Sequence, residues 1–463
     1  MFGRIPLMYK NFWRITFVAA TIYFFSWLAV YKLGVNQLPI QSEDTLPAMF
    51  LPAAIINEGT LYIDTYYDIL LENYPHPEDR DYEKGMIPFY ARRVGEHYVS
   101  AFTIITSLLV LPLYFLPLKL GLPVTLETMT YMGHLAGAFI VALSGGFLFM
   151  LLRKHFDLKD KKAKLLTYVY LFATVNFAMI SQALWQHGTV ELLFILALWF
   201  LFERKWFFMA FFLSLVAISR PTAGIVIPFL SLIFVYQNWK GIKSFIKPAT
   251  LYVLGFIPPI WFFIWYTGKY YVDLSNNGYA GQWFMGWQSK FPEGFLGMWL
   301  SPSKGILIYS PVLIFALIGL WLALRRKQWK VNLNYVVFGS IVLIHTLIYS
   351  IWKHWYGGWS FGYRMASDVI PFMIILMVPY IKSSLYEKSR KIFLALFIFS
   401  VAVQLYGIAF FDGIWHAAYD NGFRDTKWLW SIKDSELAFN IRRVLVKLRL
   451  LERPCPHCLG IYD

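Results

Sequence analysis

The sequence is poor in charged residues and almost free of cysteine. Only 15% of its 463 residues are charged, whereas 58% are hydrophobic and 20% are aromatic. The mean hydropathy is +0.51. A soluble chain of this length could not bury so many apolar side chains, so lipid is the expected solvent for most of it. An ordinary soluble protein is therefore excluded.

Several motifs of well-known enzyme classes are also absent. The chain has no Walker-type phosphate loop, no HExxH and no pair of CxxC motifs, which argues against a nucleotide-driven motor and an HExxH metalloprotease. Its two cysteines, Cys455 and Cys458, are the ends of a Cys-Pro-His-Cys tetrapeptide that matches the active site of strongly oxidising periplasmic thiol oxidases. That role needs a thioredoxin-like domain, which the residues after Phe411 are too few to build. We expect a disulfide or an incidental metal-binding pair there.

Long apolar runs dominate the chain instead and predict membrane-spanning helices. The eleven predicted spans are 12–33, 131–152, 165–185, 188–203, 206–220, 222–237, 249–267, 305–324, 333–352, 365–381 and 392–411. Clusters of Lys and Arg lie before residue 12 and at 153–164, 204–205, 240–247, 325–327 and 382–391. All of them fall on one side of the membrane if the N-terminus is cytoplasmic.

The expected fold class is therefore an all-α polytopic membrane protein of the cell inner membrane, with about eleven transmembrane helices. The formal net charge of +15 is explained by cytoplasmic loops that meet anionic headgroups, and nucleic acid is not an expected partner. The first apolar run is too long for a cleavable signal peptide and lacks a small-residue cleavage site, so we expect it to be retained.

The predicted chain divides into a membrane module and a tail. Residues 1–411 form the module, with one large outer loop at 34–127 and another at 268–304. Within the first loop, residues 98–118 could span the membrane, but a crossing there would place the 153–164 cluster outside. We expect a juxtamembrane helix in the outer leaflet instead. In the tail, 412–463, residues 436–451 predict a basic amphipathic helix at the membrane surface.

The first outer loop carries an acidic pair, Glu43-Asp44, at a predicted helix start. Small capping residues precede the acids, Pro47 follows where a backbone N–H is dispensable, and Gly59 suits the helix end. Apolar residues recur at helical spacing between them, so we expect one face to lie on the membrane. Asp44 then has two interpretations: an ordinary N-cap, or a general base held at the membrane surface.

A second group of polar residues is predicted at the outer helix ends. Cations and N–H donors at such positions can stabilise a departing phosphate, and arginine is the best equipped of them. The candidates are Arg364, Arg220, His187, Lys353, His354 and Lys304. For either arginine, an interfacial anchor is an equally good interpretation.

Two histidines and one aromatic loop complete the set of candidates. His187 and Glu191 would share a helical face, where the carboxylate would favour an imidazolium, although such a pair more often joins helices. His345, in the middle of a predicted span, is interpreted as an interhelical hydrogen-bonding residue. The 268–304 loop is rich in rings that could stack on a sugar or a prenyl chain. They are Tyr270, Tyr271, Tyr279, Trp283, Trp287 and Trp299.

The early acidic pair and two short segments resemble the GT-C superfamily of integral-membrane glycosyltransferases, which includes protein O-mannosyltransferases and lipid A aminoarabinose transferases. The segments are Ser181-Gln182-Ala183-Leu184-Trp185-Gln186-His187-Gly188 and Trp355-Tyr356-Gly357-Gly358-Trp359-Ser360-Phe361-Gly362-Tyr363-Arg364, with Pro371 in the next span. The Lys-Pro-Pro signature of the aminoarabinose transferases is absent near Tyr98, and His134 stands where an arginine is often found. The subfamily and the acceptor therefore stay open.

The resemblance implies a helical bundle with juxtamembrane helices in the first loop, and an inverting transfer of a sugar from a polyprenyl-phosphate carrier. It assigns the role of catalytic base to Asp44, with Glu43 in support. The expected partners are that lipid-linked donor, a glycan, lipid or protein acceptor, and membrane lipids. No cofactor is identified, and a divalent metal ion is left open.

Two other classes of protein compete with this expectation. A transporter or flippase for a lipid-linked or small polar substrate predicts buried charges near the midplane and broken helices related by a repeat. A structural or assembly protein of the envelope would have no turnover.

Overall fold

Apolar helices of membrane-spanning length build most of this chain. The computed structural model describes residues 4–75, 88–271, 286–325, 329–420 and 425–452. Its α-helices, numbered α1 to α20 in chain order, are Arg4–Lys32, Leu46–Glu58, Asp64–Asn73, Ile105–Lys119, Leu126–Lys154, Asp160–Phe172, Val175–Ala178, Gln186–Phe202, Trp206–Ser219, Val226–Asn238, Ile242–Tyr270, Glu293–Leu300, Ile306–Tyr309, Ile314–Leu324, Trp329–Ser350, Ile370–Leu376, Val378–Ile381, Ser384–Phe410, Ile414–Tyr419 and Glu436–Lys447. Strands β1 (Ala91–Val94) and β2 (His97–Ser100) form an antiparallel hairpin.

In the described residues, seven helices are long and apolar enough to cross a membrane, or eight when the bent pair Asp160–Phe172 and Val175–Gln182 counts as one span. The seven are Leu7–Lys32, Leu126–Lys154, Pro221–Asn238, Ile242–Tyr270, Asn332–Ser350, Arg364–Ile381 and Ser384–Phe410. The all-α membrane class is thereby confirmed. Three other predicted spans coincide with shorter apolar helices, so eleven crossings stay a prediction. These are Gln186–Phe202, Trp206–Ser219 and Pro311–Leu324.

Contacts between distant segments group the helix ends in agreement with the charge alternation. Asn11 donates a hydrogen bond to Asp160 at 2.9 Å, and Lys162 pairs with Glu387 at 3.2 Å. The basic segments near 153–164 and 382–391 therefore lie at the same end of the bundle as the start of α1. At the opposite end of α1, Asn36 donates to the carbonyl of Phe411 at 2.6 Å.

This grouping predicts which exposed positions react from outside the cell. Single cysteines should replace Lys161 and Glu96, both exposed, in a chain whose two native cysteines are serines. An impermeant maleimide should label Glu96→Cys in intact cells with a permeabilised outer envelope, and should reach Lys161→Cys only after lysis, because basic loops stay cytoplasmic. Labelling of Lys161→Cys in intact cells would reverse the orientation.

Helix α2 is surrounded by protein over residues 49–54, whereas Asn57 and Glu58 at its end are exposed. This corrects the expectation that one face of the buried part lies on the membrane. The predicted start and end of α2 are confirmed, since Pro47 lies in the first turn and Gly59 ends it at φ +71°. Residues 49–54 are all buried, so every side of this part of the helix is covered. Helix α2 packs there against α4 and α5. A Cβ on Gly133 of α5 would lie 2.6 Å from the sulfur of Met49, so this glycine permits the close approach.

The predicted juxtamembrane helix at 98–118 is partly wrong. Its first residues are strand β2, in which Tyr98 pairs with Arg93 and Ser100 with Ala91. Helix α4 begins only at Ile105. Inter-strand hydrogen bonds satisfy the backbone of β2, a possibility that an apolar run alone does not reveal.

The C-terminal segment packs on the same end of the bundle as the 354–364 loop. The rings of Trp415 and Trp428 lie 4.8 Å apart, and Trp428 lies 5.6 Å from Tyr356 in that loop. The Ser301 hydroxyl donates to the carbonyl of Leu429 at 2.6 Å. The tail is thus part of the wall around the candidate site described next.

Candidate functional site

Asp44 projects its carboxylate away from the helix start on which it lies. Residues Glu43–Thr45 form a single 3₁₀ turn, and the Ser42 hydroxyl caps that turn by accepting from the Asp44 backbone N–H at 3.4 Å. Because Ser42 supplies the capping oxygen, the Asp44 side chain has a different partner. Its Oδ2 lies 3.5 Å from Nη1 of Arg364.

Arg364 reaches this position from the 354–364 loop. Gly357 and Gly358 in that loop have φ of +88° and +62°, values that favour glycine and allow the tight turn. Arg364 then opens a 3₁₀ segment, Arg364–Val369, and its guanidinium lies 4.5 Å from the ring centre of Trp185. Arg364 thus joins Asp44 to Trp185 in the 181–188 segment.

The Asp44–Arg364 pair is open to solutes but not fully exposed. The side chains are 29% and 15% accessible, respectively. A base beside a permanent cation at such a position can accept a proton from an acceptor while the cation meets a negative group. The sequence predicted both residues, and the structure brings them together across 320 positions.

Glu43 acts on a different group. Burial raises the pKa of Tyr74 to about 12, and the negative charge of Glu43 contributes to this rise. The Glu43 carboxylate therefore acts electrostatically on Tyr74, the residue that follows α3. Its predicted supporting role stays a prediction.

Arg220 and His187 meet at a buried carboxylate that sequence reasoning missed. Asp368 is fully buried, and its Oδ1 accepts from His187 Nδ1 at 2.7 Å while its Oδ2 lies 3.2 Å from Arg220 Nε. Arg220 Nη1 donates to His187 Nε2 at 2.7 Å, and its other terminal nitrogen donates to the Tyr349 hydroxyl. His345 Nε2 lies 3.5 Å from Asp368. This arrangement fits a neutral His187 with its proton on Nδ1.

His187 and Glu191 share α8 but do not pair with each other, so the interpretation in which Glu191 favours an imidazolium is wrong. Each residue instead joins α8 to another segment, which agrees with the alternative interpretation. Glu191 accepts hydrogen bonds from the Tyr170 hydroxyl at 2.5 Å and from the Asn176 amide at 2.9 Å. His187 and Glu191 both lie on α8, but their polar atoms form hydrogen bonds with residues of other segments. An acid inside an otherwise apolar span was the signal that could have found Asp368, because such a residue is costly unless it is paired. The predicted interhelical role of His345 agrees with its contact to Asp368.

Lys304 lies inside the contact between the tail and the membrane body. It is buried, donates to the carbonyl of Ser360, and has Nζ 3.0 Å from His416 Nε2 and 3.9 Å from Glu436. Burial lowers the pKa of Lys304 to about 8, although Glu436 acts in the opposite direction. Burial raises the pKa of Glu436 to about 7. Lys304 therefore joins the tail to the loop that carries Arg364.

These two shifts predict an unusual pH dependence of stability. Because the folded protein holds the Glu436 proton more tightly, stability from this group is lost as pH rises from about 4.5 to about 7. Stability from Lys304 is lost as pH falls from about 10.5 to about 8. The contribution of the pair is therefore smallest between about pH 7 and 8.

Thermal unfolding of Glu436→Gln and the parent in detergent checks this. The parent should gain up to about 3 kcal/mol relative to the variant between pH 7 and pH 4.5. The exposed Glu452→Gln serves as a control and should show no such change. A pH-independent difference for Glu436→Gln would show that the carboxyl does not titrate in this range.

Lys353 and His354 precede the glycine turn. The backbone N–H of Lys353 donates to the carbonyl of Gly286 at 2.7 Å, and His354 Nδ1 lies 3.2 Å from the Tyr356 hydroxyl. Burial, followed by the charges of Lys353 and Arg364, lowers the pKa of His354 to about 4. At neutral pH, His354 can therefore offer a hydrogen bond to a phosphate but no positive charge.

The rings of the 268–304 loop pack mainly on the protein where the structure describes them. Tyr271 is buried and donates to the carbonyl of Ser100, and Trp287 lies 5.3 Å from Trp352. Tyr279 and Trp283 lie outside the described residues. A stacking surface for a sugar therefore stays a prediction.

An apolar cavity of about 280 Å³ lies between the start of α4 and the ends of α9 and α11. Its lining is almost entirely carbon and includes Phe102, Pro221, Phe262 and Tyr266.

The part of the chain that the structure describes contains no candidate metal site. No three His, Cys, Asp or Glu side chains there converge closely enough to hold an ion. The tail cysteines, Cys455 and Cys458, lie outside that part.

No protein-family model, no curated protein and no solved structure matches this chain.

Proposed function

We propose that this protein is a membrane glycosyltransferase of the GT-C type. It moves a sugar from a polyprenyl-phosphate-linked donor to an acceptor hydroxyl at the periplasmic face of the inner membrane. The observation that carries the proposal is the contact between Asp44 and Arg364. Both residues were proposed for this chemistry from the sequence, where 320 positions separate them.

The pair supplies the two functions that such a transfer needs. Asp44 takes the proton of the acceptor hydroxyl, whose oxygen attacks the anomeric carbon as the bond to the lipid phosphate breaks. The phosphate gains negative charge as it leaves, and Arg364 stabilises that charge with its planar fork of donors. Attack from the face opposite the leaving group inverts the anomeric carbon.

Access and packing support this division of roles. Arg364 is partly accessible and is held on the face of Trp185, so a phosphate can replace Asp44 as its partner. Arg220 and His187 instead face Asp368. We therefore assign leaving-group stabilisation to Arg364, and to Arg220 and His187 the support of the segment that carries it.

The apolar cavity supports a donor with a hydrocarbon chain. Its carbon lining offers little to a polar solute, whereas an isoprenoid gains by leaving water there. The sugar and the acceptor stay open, and so does a metal requirement.

A transporter or flippase is the second candidate, and the buried Asp368 cluster favours it. Ionisable groups inside membrane spans often mark a substrate or proton route. Here, however, Asp368 lies near the start of the Arg364–Ile381 span and His187 lies in the first turn of α8. These groups therefore lie near the helix ends rather than at the midplane that a transporter favours.

Turnover in detergent distinguishes the two candidates. The purified protein is incubated with a panel of polyprenyl-phosphate hexoses and pentoses and an envelope extract as acceptor, and released polyprenyl phosphate is measured. A transferase releases this product without a sealed membrane. A transporter releases none, but moves the intact donor across the bilayer of proteoliposomes. Absence of release with every donor would contradict the proposal.

A further inference from the structure

Helix α20 points its apolar side away from the protein. Phe439 and three polar residues, Glu436, Asn440 and Arg443, form the buried face. The opposite face carries Ile441, Val444, Leu445 and Leu448 at helical spacing, of which Ile441 is 49% and Leu448 is 62% exposed. Leu450 and Leu451 continue this exposed apolar surface beyond the helix. A helix exposed to water on that side would have the reverse orientation.

Polar contacts fix this rotation of the helix. Arg443 donates to both carboxylate oxygens of Asp412, at 2.8 and 3.1 Å. Glu436 accepts from the Tyr309 hydroxyl at 3.2 Å and lies 3.9 Å from Lys304. Rolling α20 to hide its apolar side would expose or separate these buried partners, at a cost that several apolar contacts would not offset.

The position of α20 places its apolar side beside a membrane span. Asp412 lies two residues after the end of α18, and the Tyr406 hydroxyl in the last turns of α18 donates to the carbonyl of Leu437 at 2.9 Å. The neighbouring Leu405 on α18 is 47% exposed, as expected of a side chain that faces lipid. The exposed surface of α20 therefore continues from a lipid-facing surface at the end of the span.

Charge at the edge of this surface matches phospholipid headgroups. Lys447 and Arg449 are exposed next to Leu448 and Leu450. Cations that flank an apolar stripe are typical of helices that lie in an anionic membrane interface.

We propose that α20 lies in the outer leaflet of the membrane, with Ile441 and Leu448 among the acyl chains and Lys447 and Arg449 on anionic phosphates. The leaflet then holds the C-terminal segment in place. That segment in turn contacts the 354–364 loop through Lys304, which lies 3.9 Å from Glu436 and donates to the carbonyl of Ser360. This inference goes beyond the proposed function and does not depend on it.

Spin labels measure the depth of α20 directly. Single cysteines at Ile441 and Leu448, and at the exposed Lys433 as a matched control, carry nitroxides in the full chain with Cys455→Ser and Cys458→Ser. The protein is studied in vesicles of phosphatidylethanolamine with phosphatidylglycerol. At Ile441 and Leu448, oxygen should relax the label more than a water-soluble nickel chelate does, and at Lys433 the order should reverse.

Three results would overturn the proposal. Nickel accessibility at Ile441 and Leu448 equal to that at Lys433 would place the surface in water. Dipolar broadening between labels at Ile441 would identify a second copy of the chain as the occupant. A depth unchanged by Lys447→Gln with Arg449→Gln, or by replacing phosphatidylglycerol with phosphatidylcholine, would remove the role of anionic phosphates. A labelled protein that melts like the parent ensures that these readouts report the native fold.

Discussion

Asp44→Asn should lower sugar transfer by roughly 100-fold or more while the protein stays folded. Asparagine has nearly the same shape, but it cannot take a proton from an acceptor hydroxyl. Stability should change little, because Ser42 rather than Asp44 caps the turn. The pair with Arg364 is partly exposed, and its loss costs about 1 kcal/mol or less. Release of polyprenyl phosphate and the melting temperature are measured together.

Two variants serve as controls for that result. Asp68→Asn removes an exposed carboxylate from α3 in the same outer loop and should keep full activity. Glu43→Gln tests the neighbouring acid, whose carboxylate acts electrostatically on Tyr74, and should have a smaller effect than Asp44→Asn. A stable Asp44→Asn protein with parental activity would end the catalytic assignment and transfer the role to Glu43 or favour the transporter.

Arg364→Ala and Arg220→Ala should fail in different ways, although both remove an arginine near the outer helix ends. Arg364→Ala should reduce transfer by about 100-fold, because one charged donor in a catalytic site stabilises the transition state by about 3 kcal/mol. Its folding should survive, since Asp44 can turn to water. Arg364→Lys should recover only part of the activity, because an ammonium lacks the planar fork.

Arg220→Ala should instead lower the stability of the protein. It leaves the fully buried Asp368 without its nearest permanent cation, and breaking a buried pair in this way costs about 3–5 kcal/mol. Arg220→Ala with Asp368→Asn should recover part of that loss, because the uncompensated charge is gone. Thermal unfolding in detergent compares the variants. A stable, active Arg220→Ala protein would show that the buried cluster is dispensable, and parental transfer by Arg364→Ala would refute the phosphate-binding assignment.

Local sequence patterns predicted the helix ranges well. Each predicted span contains a helix, and the start of α2 near Pro47 and its end at Gly59 follow from capping rules. The hairpin at 91–100 was missed, because its inter-strand pairing is not visible in an apolar run. The burial of α2 was missed for a related reason, since helical spacing does not say how many neighbours a helix has.

The candidate site was predicted residue by residue but not as a geometry. Asp44 was named because the resemblance to the GT-C superfamily assigns the base to it, and Arg364 because a planar, permanently charged fork suits a phosphate. An N-cap and an interfacial anchor were the alternatives for the two residues. Asp368 was overlooked because its three partners come from other helices, and His187 was consequently paired with Glu191. Lys304 was named as a phosphate ligand, yet the tail buries it against Glu436 and His416.

Composition and apolar runs were enough to predict a membrane protein and the approximate positions of its helices, and the basic segments predicted which helix ends share a side, because a bilayer imposes long apolar runs and basic loops. Only the packing of the helices shows that Asp44 meets Arg364, that Asp368 contacts Arg220 and His187, and that the tail covers one end of the bundle. Each of these contacts joins segments more than 100 residues apart. Helical periodicity acts only over a few turns, so packing between helices had to supply the rest.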